Sequence, residues 1–214
     1  NGQTELADLV AGLSPVSHGT IKINGHDVTH ASVAQRRNSG LANIPEDRYK
    51  DGLASGGSVS DNLLIGVHNR PPLVQHGLLN LKAISERAEN LIKRFQIKTE
   101  NANSLTSTLS GGNAQKIIIA RELAEDKNLI VAAQPTRGID ISASEFVRET
   151  LLKRRNSGAG ILLISADLSE VLSLADRILV MYDGRIIGEV AGNEADETRL
   201  GLLMAGISDE ALHA

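Results

Sequence analysis

Leu109-Ser110-Gly111-Gly112-Asn113-Ala114-Gln115-Lys116 is the stretch that decides how the chain is interpreted, and an apolar segment at 117–124 follows it. Ser110 is a good helix N-cap, so the stretch predicts a helix that begins directly after it. Two glycines in the first turn leave backbone N–H groups uncovered and allow another chain to approach closely. Because the helix dipole places partial positive charge there, the site suits an anion such as a phosphate. A bare Ser-Gly-Gly is more often an ordinary glycine-containing cap, and only the longer string points beyond that.

The composition limits the kinds of protein that the chain can be. Its 214 residues suit one domain of ordinary size with a subdomain, and 41% of them are hydrophobic, which is enough for a sizeable core. Only 2% are aromatic, so that core must be aliphatic, and the absence of cysteine excludes disulfides and thiolate metal sites. The net charge of −4 argues against a nucleic-acid partner held by a basic surface. No apolar run approaches the roughly 18 to 20 residues of a membrane span, so we expect any membrane association to go through a partner protein.

The alternation of apolar and polar segments predicts an α/β fold with a mostly parallel sheet. Two short apolar runs, at 129–133 and 160–165, are typical of buried parallel strands. The patterns around them predict helices at 4–13, 33–37, 84–95, 142–156, 168–175 and 196–205. They also predict a strand that runs into a turn at 19–25, a strand at 41–45, a loop at 47–58, and a hairpin of 177–182 with 185–190 about Asp183-Gly184.

A change in character after residue 58 predicts an inserted helical subdomain. Ser60-Asp61-Asn62 is expected to cap an apolar segment at 63–67, and the helix after Ser110 is expected to close the subdomain at about residue 125. We therefore expect an α/β core at 1–58 and 126–214 and a helical subdomain at 59–125. The chain begins at Asn1 with no methionine and runs straight into a helix-like segment, so we expect its N-terminal strands to be missing.

The full string at 109–116 resembles the signature motif of the ABC ATPases, in the form seen in importers of simple sugars and nucleosides. Segments at 43–48 and 134–140 resemble that family's Q-loop and D-loop regions at the family's spacing, and the chain is similar to the second cassette of its tandem ATPases. The resemblance implies a P-loop NTPase-type ABC cassette with a RecA-like core. The Ala-Ala-Gln-Pro sequence at 132–135 leans towards the nucleoside branch.

The resemblance also implies which residues meet ATP. Ser110, Gly111, Gly112 and Asn113 would reach across a head-to-tail dimer and cap the γ-phosphate held by the P-loop of another cassette. Asp140 would lie at the subunit contact, or simply cap the helix that follows it.

The residues that would form the chain's own ATP site depart from the family pattern. Gly2-Gln3-Thr4-Glu5 resembles the end of a P-loop, with Gln3 in place of the lysine that neutralises phosphate. Losing a contact of about 1.5 to 3 kcal/mol should weaken nucleotide binding about ten- to a hundredfold. Ala133 and Gln134 stand where the family has the Asp and Glu of Walker B, and Ala166 stands where it has the switch His.

Thr4 and Glu46 are the residues that remain to bind Mg²⁺ under the resemblance. Thr4 occupies the P-loop hydroxyl position, and Glu46 the Q-loop position that contacts Mg²⁺ or the attacking water and senses the membrane partner. Without the resemblance, Glu46 would belong to a solvated acidic turn. No other metal site is expected, because the six histidines lie in polar or loop contexts typical of surface residues: His18, His26, His30, His68, His76 and His213.

Altered positions beside an intact signature favour a binding module. In that interpretation the chain binds ATP and Mg²⁺ weakly, hydrolyses ATP poorly or not at all, and serves a second nucleotide-binding domain. Membrane permease subunits would dock near 59–98, at the cytoplasmic face of the cell membrane, with no nucleic acid involved. The alternative is a cassette that hydrolyses ATP at its own site with unusual residues. A soluble ABC protein of translation or DNA repair would carry a basic linker or a long coiled-coil insertion, and the sequence shows neither.

Overall fold

The structure, a computed structural model, describes residues 2–207. Its helices are α1 (Gln3–Ala11), α2 (Val33–Asn38), α3 (Val59–Leu64), α4 (Leu81–Arg94), α5 (Gly111–Leu123), α6 (Ile141–Asn156), α7 (Leu168–Leu174) and α8 (Glu197–Met204). Its strands are β1 (Lys22–Ile23), β2 (His26–Asp27), β3 (Leu41–Ile44), β4 (Val74–Gln75), β5 (Leu78–Leu79), β6 (Leu129–Ala133), β7 (Gly160–Ile164), β8 (Arg177–Tyr182) and β9 (Arg185–Ala191). Within residues 2–207, no helix is long and apolar enough to cross a bilayer.

The chain forms two compact units. Among the described residues, the first comprises residues 2–41, the segment Asn128–Gln134, and residues 160–207. The second comprises Ala42–Lys127 and Pro135–Ala159. The predicted helical subdomain at 59–125 falls inside the second unit, and its boundary stays a prediction.

A parallel pair of strands organises the first unit. β6 and β7 run parallel in a register that pairs Leu129 with Gly160 and Ala133 with Ile164, as their apolar sequences predict. The core beside them gathers buried aliphatic side chains: Ala7, Ile23, Val28, Leu41 and Val131. β8 and β9 form an antiparallel hairpin, and the predicted turn at Asp183 and Gly184 has positive φ at both residues, 47° and 72°. This hairpin packs with α8 through Val180, Val190, Leu200 and others, which makes a second apolar cluster.

The second unit is a set of helices around α5. Ile117, Ile118 and Ile119 are consecutive and fully buried, so α5 is enclosed on all sides rather than on one stripe. α3, α4 and α6 each pack against it. The predicted helix after Ser110 is therefore the central element of this unit.

Three local predictions differ from the structure in part. The predicted strand and turn at 19–25 form the first half of a hairpin: β1 runs into a turn at Asn24 and Gly25, whose φ values are 53° and 77°, and β2 then pairs with β1. The predicted loop at 47–58 contains a π-helical turn, Arg48–Gly52. The residues of β7 after Gly160 are half-buried rather than buried, since in the described part of the chain only β6 pairs with it.

The start of α3 also differs from the prediction, which placed the cap at residues 60–62. Ser58 is the N-cap, and its side chain and that of Asp61 form a capping box. Asn62 lies inside the helix and bonds the backbone of Ala54. Five of the histidines predicted at the surface are exposed, and His213 lies outside the described residues.

Candidate functional site: the signature turn and its neighbours

The first turn of α5 is capped by its own sequence. Ser110 is the N-cap, as predicted, and its Oγ accepts from the Nδ2 of Asn113 at 2.9 Å. Asn113 also ties the turn to the segment that follows α4, because its Oδ1 accepts from the backbone N–H of Lys98 at 2.7 Å. Ser110 itself is exposed. The turn is thus held in place by the hydrogen bonds of Asn113, while Ser110 is open to solvent.

The two signature glycines have different surroundings. A Cβ on Gly112 would lie 2.8 Å from both the Oδ2 of Asp140 and the Cβ of Ala143, so the first turn of α6 fills that space. A Cβ on Gly111 would lie 3.3 Å from the carbonyl oxygen of Gly138. Gly112 therefore serves close packing inside this chain, in addition to any approach by a ligand.

Asp140 connects the signature turn with α6. It is the N-cap of α6, and its Oδ1 accepts from the N–H of Ala143 at 2.9 Å, as the capping interpretation predicted. Its other carboxylate oxygen faces Gly112. The subunit-contact role stays a prediction.

Lys116 joins the same neighbourhood from the second turn of α5. It is buried, its Nζ donates to the carbonyl oxygen of Gln96 at 3.2 Å, and it lies 4.7 Å from the ring centroid of Phe146 on α6. Burial lowers the pKa of Lys116, the charge of Lys98 lowers it further, and Asp140 acts in the opposite direction. Sequence reasoning missed this residue, whose only signal was its place at the end of the motif.

A reciprocal set of contacts joins the Q-loop and D-loop segments. The Nη1 of Arg137 lies 2.6 Å from the Oε1 of Glu46. In return, Arg48 donates from Nη1 to the carbonyl oxygen of Arg137 at 2.8 Å and from Nη2 to that of Gly138 at 3.0 Å. The sequence carries these arginines inside both motifs, but nothing in it predicts that they meet.

The remaining predicted site residues belong to the first unit. Gly2 is the N-cap of α1, in the left-handed region at φ 101°, and offers no side chain to the first turn. Gln3, Thr4 and Glu5 form that first turn and are exposed. The turn therefore presents no lysine at the position that a working P-loop gives to one.

Gln134 is occupied by structural hydrogen bonds. It stands at the end of β6 with φ 46°, and its N–H donates to the carbonyl oxygen of Ile164 at 2.7 Å. Its Oε1 accepts from the N–H of Ala166 at 3.1 Å. The structure thus brings Gln134 and Ala166 together, as a link between the ends of β6 and β7.

The described residues do not fit a tightly held Mg²⁺ ion. Ala133 has no donor atom, the Oε1 of Gln134 accepts from Ala166, and Glu46 is paired with Arg137. Among residues 2–207, no group of three or more His, Cys, Asp or Glu side chains is placed to hold a metal. Hard divalent cations prefer carboxylate oxygens, and the one carboxylate among these three residues, that of Glu46, is paired with Arg137.

Comparison with known proteins supports the interpretation of the motifs. The family described as ABC transporter matches residues 1–137. The guanosine import ATP-binding protein NupO of Bacillus subtilis is 40% identical over 206 residues, which are 96% of this chain and 40% of that protein. The glucose import ATP-binding protein TsgD13 of Haloferax volcanii is 39% identical over 211 residues, 98% of this chain and 38% of that protein. The chain therefore spans less than half the length of these relatives.

A solved structure shows the same fold. A dimeric ATP-binding cassette in a post-hydrolysis state, bound to ADP and Pi, superimposes with a TM-score of 0.74 at 20% identity, over 89% of this chain and 80% of that chain. The α/β architecture predicted from the sequence is confirmed. With its motifs, its fold and these similarities, the chain belongs to the ABC transporter family.

Proposed function

We propose that this chain is a nucleotide-binding cassette of an importer for a simple sugar or a nucleoside, and that it works mainly for a neighbouring cassette. Its Ser110, Gly111, Gly112 and Asn113 would cap the γ-phosphate of ATP held by that neighbour. Its own site would bind nucleotide weakly and hydrolyse it poorly. The observation that carries the proposal is the pairing of Gln134 with Ala166, where a catalytic base and a switch histidine would otherwise stand.

The chain's own site lacks the charges that the reaction needs. Phosphoryl transfer depends on cations at the phosphates and a positioned group at the attacking water. Gln3 is neutral, and Gln134 cannot serve as an anionic base, a role that contributes typically 10² to 10⁴-fold. Moreover, the side-chain oxygen of Gln134 already accepts from a backbone N–H.

The signature side, by contrast, has the groups that a phosphate needs. The exposed Ser110 hydroxyl and the N–H groups of the first turn of α5 are hydrogen-bond donors, at the positive end of a 13-residue helix. Asn113, Asp140 and Lys116 fix the orientation of that turn. A preorganised set of donors stabilises charge as it develops in a transition state.

The partners and the location are also part of the proposal. Relatives named for guanosine and glucose import favour a transporter whose permease subunits choose the substrate, with this chain peripheral at the cytoplasmic face of the membrane. The helices of the second unit, near 59–98, are the proposed docking region for the permease.

Single-turnover hydrolysis of ATP tests the division of labour. The chain is assembled with a competent partner cassette and permease in lipid nanodiscs, and three variants are compared with the native chain. Ser110→Arg fills the signature turn, and Gln134→Ala removes the side chain at the Walker B position. Ser17→Arg adds the same charge at an exposed position outside the signature turn and the docking region, as a control. We expect Ser110→Arg to reduce hydrolysis at least about a hundredfold, the scale of losing an oxyanion-hole donor, and the other two to change it less than about twofold.

The alternative, hydrolysis at the chain's own site, gives the opposite result. With the partner's site disabled, it predicts hydrolysis at a normal rate that Gln134→Ala changes and Ser110→Arg does not. A nucleotide titration of the chain, with and without Mg²⁺, adds a binding measurement. Tight binding of Mg·ATP by the chain alone would contradict the proposal.

A further inference from the structure

The turn that follows Glu46 is fastened at both ends. Asp47 caps it, since its Oδ1 accepts from the N–H groups of Tyr49 and Lys50 at 3.0 Å each. At the other end, the carbonyl oxygen of Gly52 accepts from the Nη1 of Arg121 on α5 at 2.8 Å. The first residue of the turn, Arg48, therefore projects from a well-held backbone.

Arg48 uses both terminal nitrogens on one target, the backbone of residues 137 and 138. The two carbonyl oxygens accept at 2.8 and 3.0 Å, a forked contact that suits the fixed planar geometry of a guanidinium. Gly138 has φ 65°, and a Cβ there would lie 3.1 Å from the Nη2 of Arg48. The glycine thus allows the guanidinium to approach the backbone closely.

The Glu46–Arg137 ion pair runs in the opposite direction between the same two segments. Its side chains are 34% and 68% exposed, so solvent weakens it, and an exposed pair of this kind contributes at most about 1 kcal/mol. The Arg48 fork adds two hydrogen bonds from a charged donor to the same segment. Together the two links tie residues 46 and 48 to residues 137 and 138.

The backbone that Arg48 holds faces the signature turn. The carbonyl oxygen of Gly138 accepts from Arg48 and lies 3.3 Å from where a Cβ of Gly111 would stand. Two residues further on, Asp140 faces Gly112 in the same way. A shift of residues 137–138 would therefore press on, or open away from, the first turn of α5.

We propose that Arg48 is a positioning residue for the ATP site that the signature turn completes on the neighbouring cassette. It sets the backbone of residues 137–138 against Gly111, and Glu46 acts as an anchor for Arg137 rather than as a ligand for Mg²⁺. The Pro-Glu-Asp-Arg segment then acts on the partner's ATP through the signature turn. This inference rests on the proposed function, because it matters only if Ser110–Asn113 serve a neighbouring site.

Hydrogen exchange of the full chain, followed by mass spectrometry, tests the positioning directly. Arg48→Gln removes the fork. Lys50→Gln makes the same charge change in the same turn, and Lys50 is exposed, so it is the matched control. We expect faster exchange at 111–116 and 137–144 in Arg48→Gln only, with Arg48→Lys intermediate because it keeps the charge but not the fork.

Hydrolysis in the assembly with the competent cassette gives the functional readout. Arg48 touches no nucleotide in this interpretation, so we expect kcat to fall about tenfold and KM for ATP to stay within about twofold, as for a misplaced catalytic group. Lys50→Gln should match the native chain. If Arg48→Gln does not show cooperative unfolding, it is not folded well enough to be compared. In that case Arg48→Lys, and the double variant Glu46→Arg with Arg137→Glu, are tested for the positioning role by hydrogen exchange and by kcat.

The outcomes separate the two proposals. If Ser110→Arg abolishes hydrolysis but Arg48→Gln changes neither exchange nor kcat, the positioning role is overturned and the proposed function stands. Faster exchange with an unchanged kcat also overturns it, since Arg48 would then be structural only. If Ser110→Arg has no effect, the proposed function itself fails.

Discussion

Replacing Gly112 with alanine separates a packing role of the signature glycine from a role in ligand approach. In an open helix the exchange stabilises the fold by up to about 1 kcal/mol, because alanine is the better helix former. Here the new Cβ would lie 2.8 Å from both the Oδ2 of Asp140 and the Cβ of Ala143, closer than such atoms can stand. Inserting a methyl group into a filled space costs about 1 to 3 kcal/mol.

Movement of Asp140 can relieve the clash with the new Cβ only in part. Its other oxygen accepts from the N–H of Ala143 as the N-cap of α6, and losing such a cap costs about 1 kcal/mol. We therefore expect Gly112→Ala to lower the free energy of unfolding by about 1 to 2 kcal/mol, once the gain in propensity is subtracted. Loss of activity in a Gly112 variant would then report partly on α6 and not only on nucleotide contact.

Gly201 supplies the control, because it lies within α8, is exposed, and has open space where an alanine Cβ would stand, with no heavy atom within 4 Å. Gly201→Ala should raise the free energy of unfolding by about 0.5 to 1 kcal/mol. Urea denaturation followed by far-UV circular dichroism measures both variants. If Gly112→Ala proved as stabilising as Gly201→Ala, the space beside Gly112 would be open and the packing argument refuted.

Three further perturbations have signs that the structure fixes. Glu122→Ala removes the partner of a buried arginine and should cost about 3 to 5 kcal/mol in urea denaturation, against less than about 0.5 kcal/mol for Glu149→Ala in an exposed helical pair. The side-chain hydrogen bond from Ser58, and to a lesser extent its backbone N–H, lower the pKa of Asp61 below 3.8. The stability that Asp61 provides is therefore complete above pH 3.8 and is lost as the pH falls through the lowered pKa. Asp61→Asn should remove that acid dependence from denaturation curves. Burial lowers the pKa of Lys116 below 10.5, so between the folded-state pKa and 10.5 the unfolded chain binds more protons than the native protein. The free energy of unfolding of the native chain, relative to that of Lys116→Met, should therefore rise with pH across that window. A difference that does not depend on pH would contradict this.

Local signals account for most of the fold that could be predicted. The turn at Asp183-Gly184 and the apolar runs at β6 and β7 are short-range patterns, and the structure confirms each of them. The turn at Asn24 and Gly25 was predicted in the same way, but the strand after it, β2, has only two residues, too few for alternation to predict it.

Long-range contacts account for what could not be predicted in the candidate site. Arg48 and Arg137 are 89 residues apart in the sequence, and the contact between them depends on how two segments are placed by other elements. The buried position of Lys116 depends on Phe146 in the same way. Motif spacing identified the segments, whereas the bonds between the segments required the structure.

The proposed division of labour, in which this chain serves a neighbouring cassette, agrees with the contacts made within each unit. The signature turn is oriented by Lys98, Asp140 and Gly138, all residues of the second unit. Gln3 and Gln134 belong to the first unit, and the bonds of Gln134 to Ile164 and Ala166 stay within it. Under that proposal, neutral residues at those two positions would remove charge from a phosphate site, whereas the contacts of the signature turn with Lys98, Asp140 and Gly138 are made by other residues. Substitutions at Gln3 or Gln134 should therefore leave those contacts of the signature turn in place.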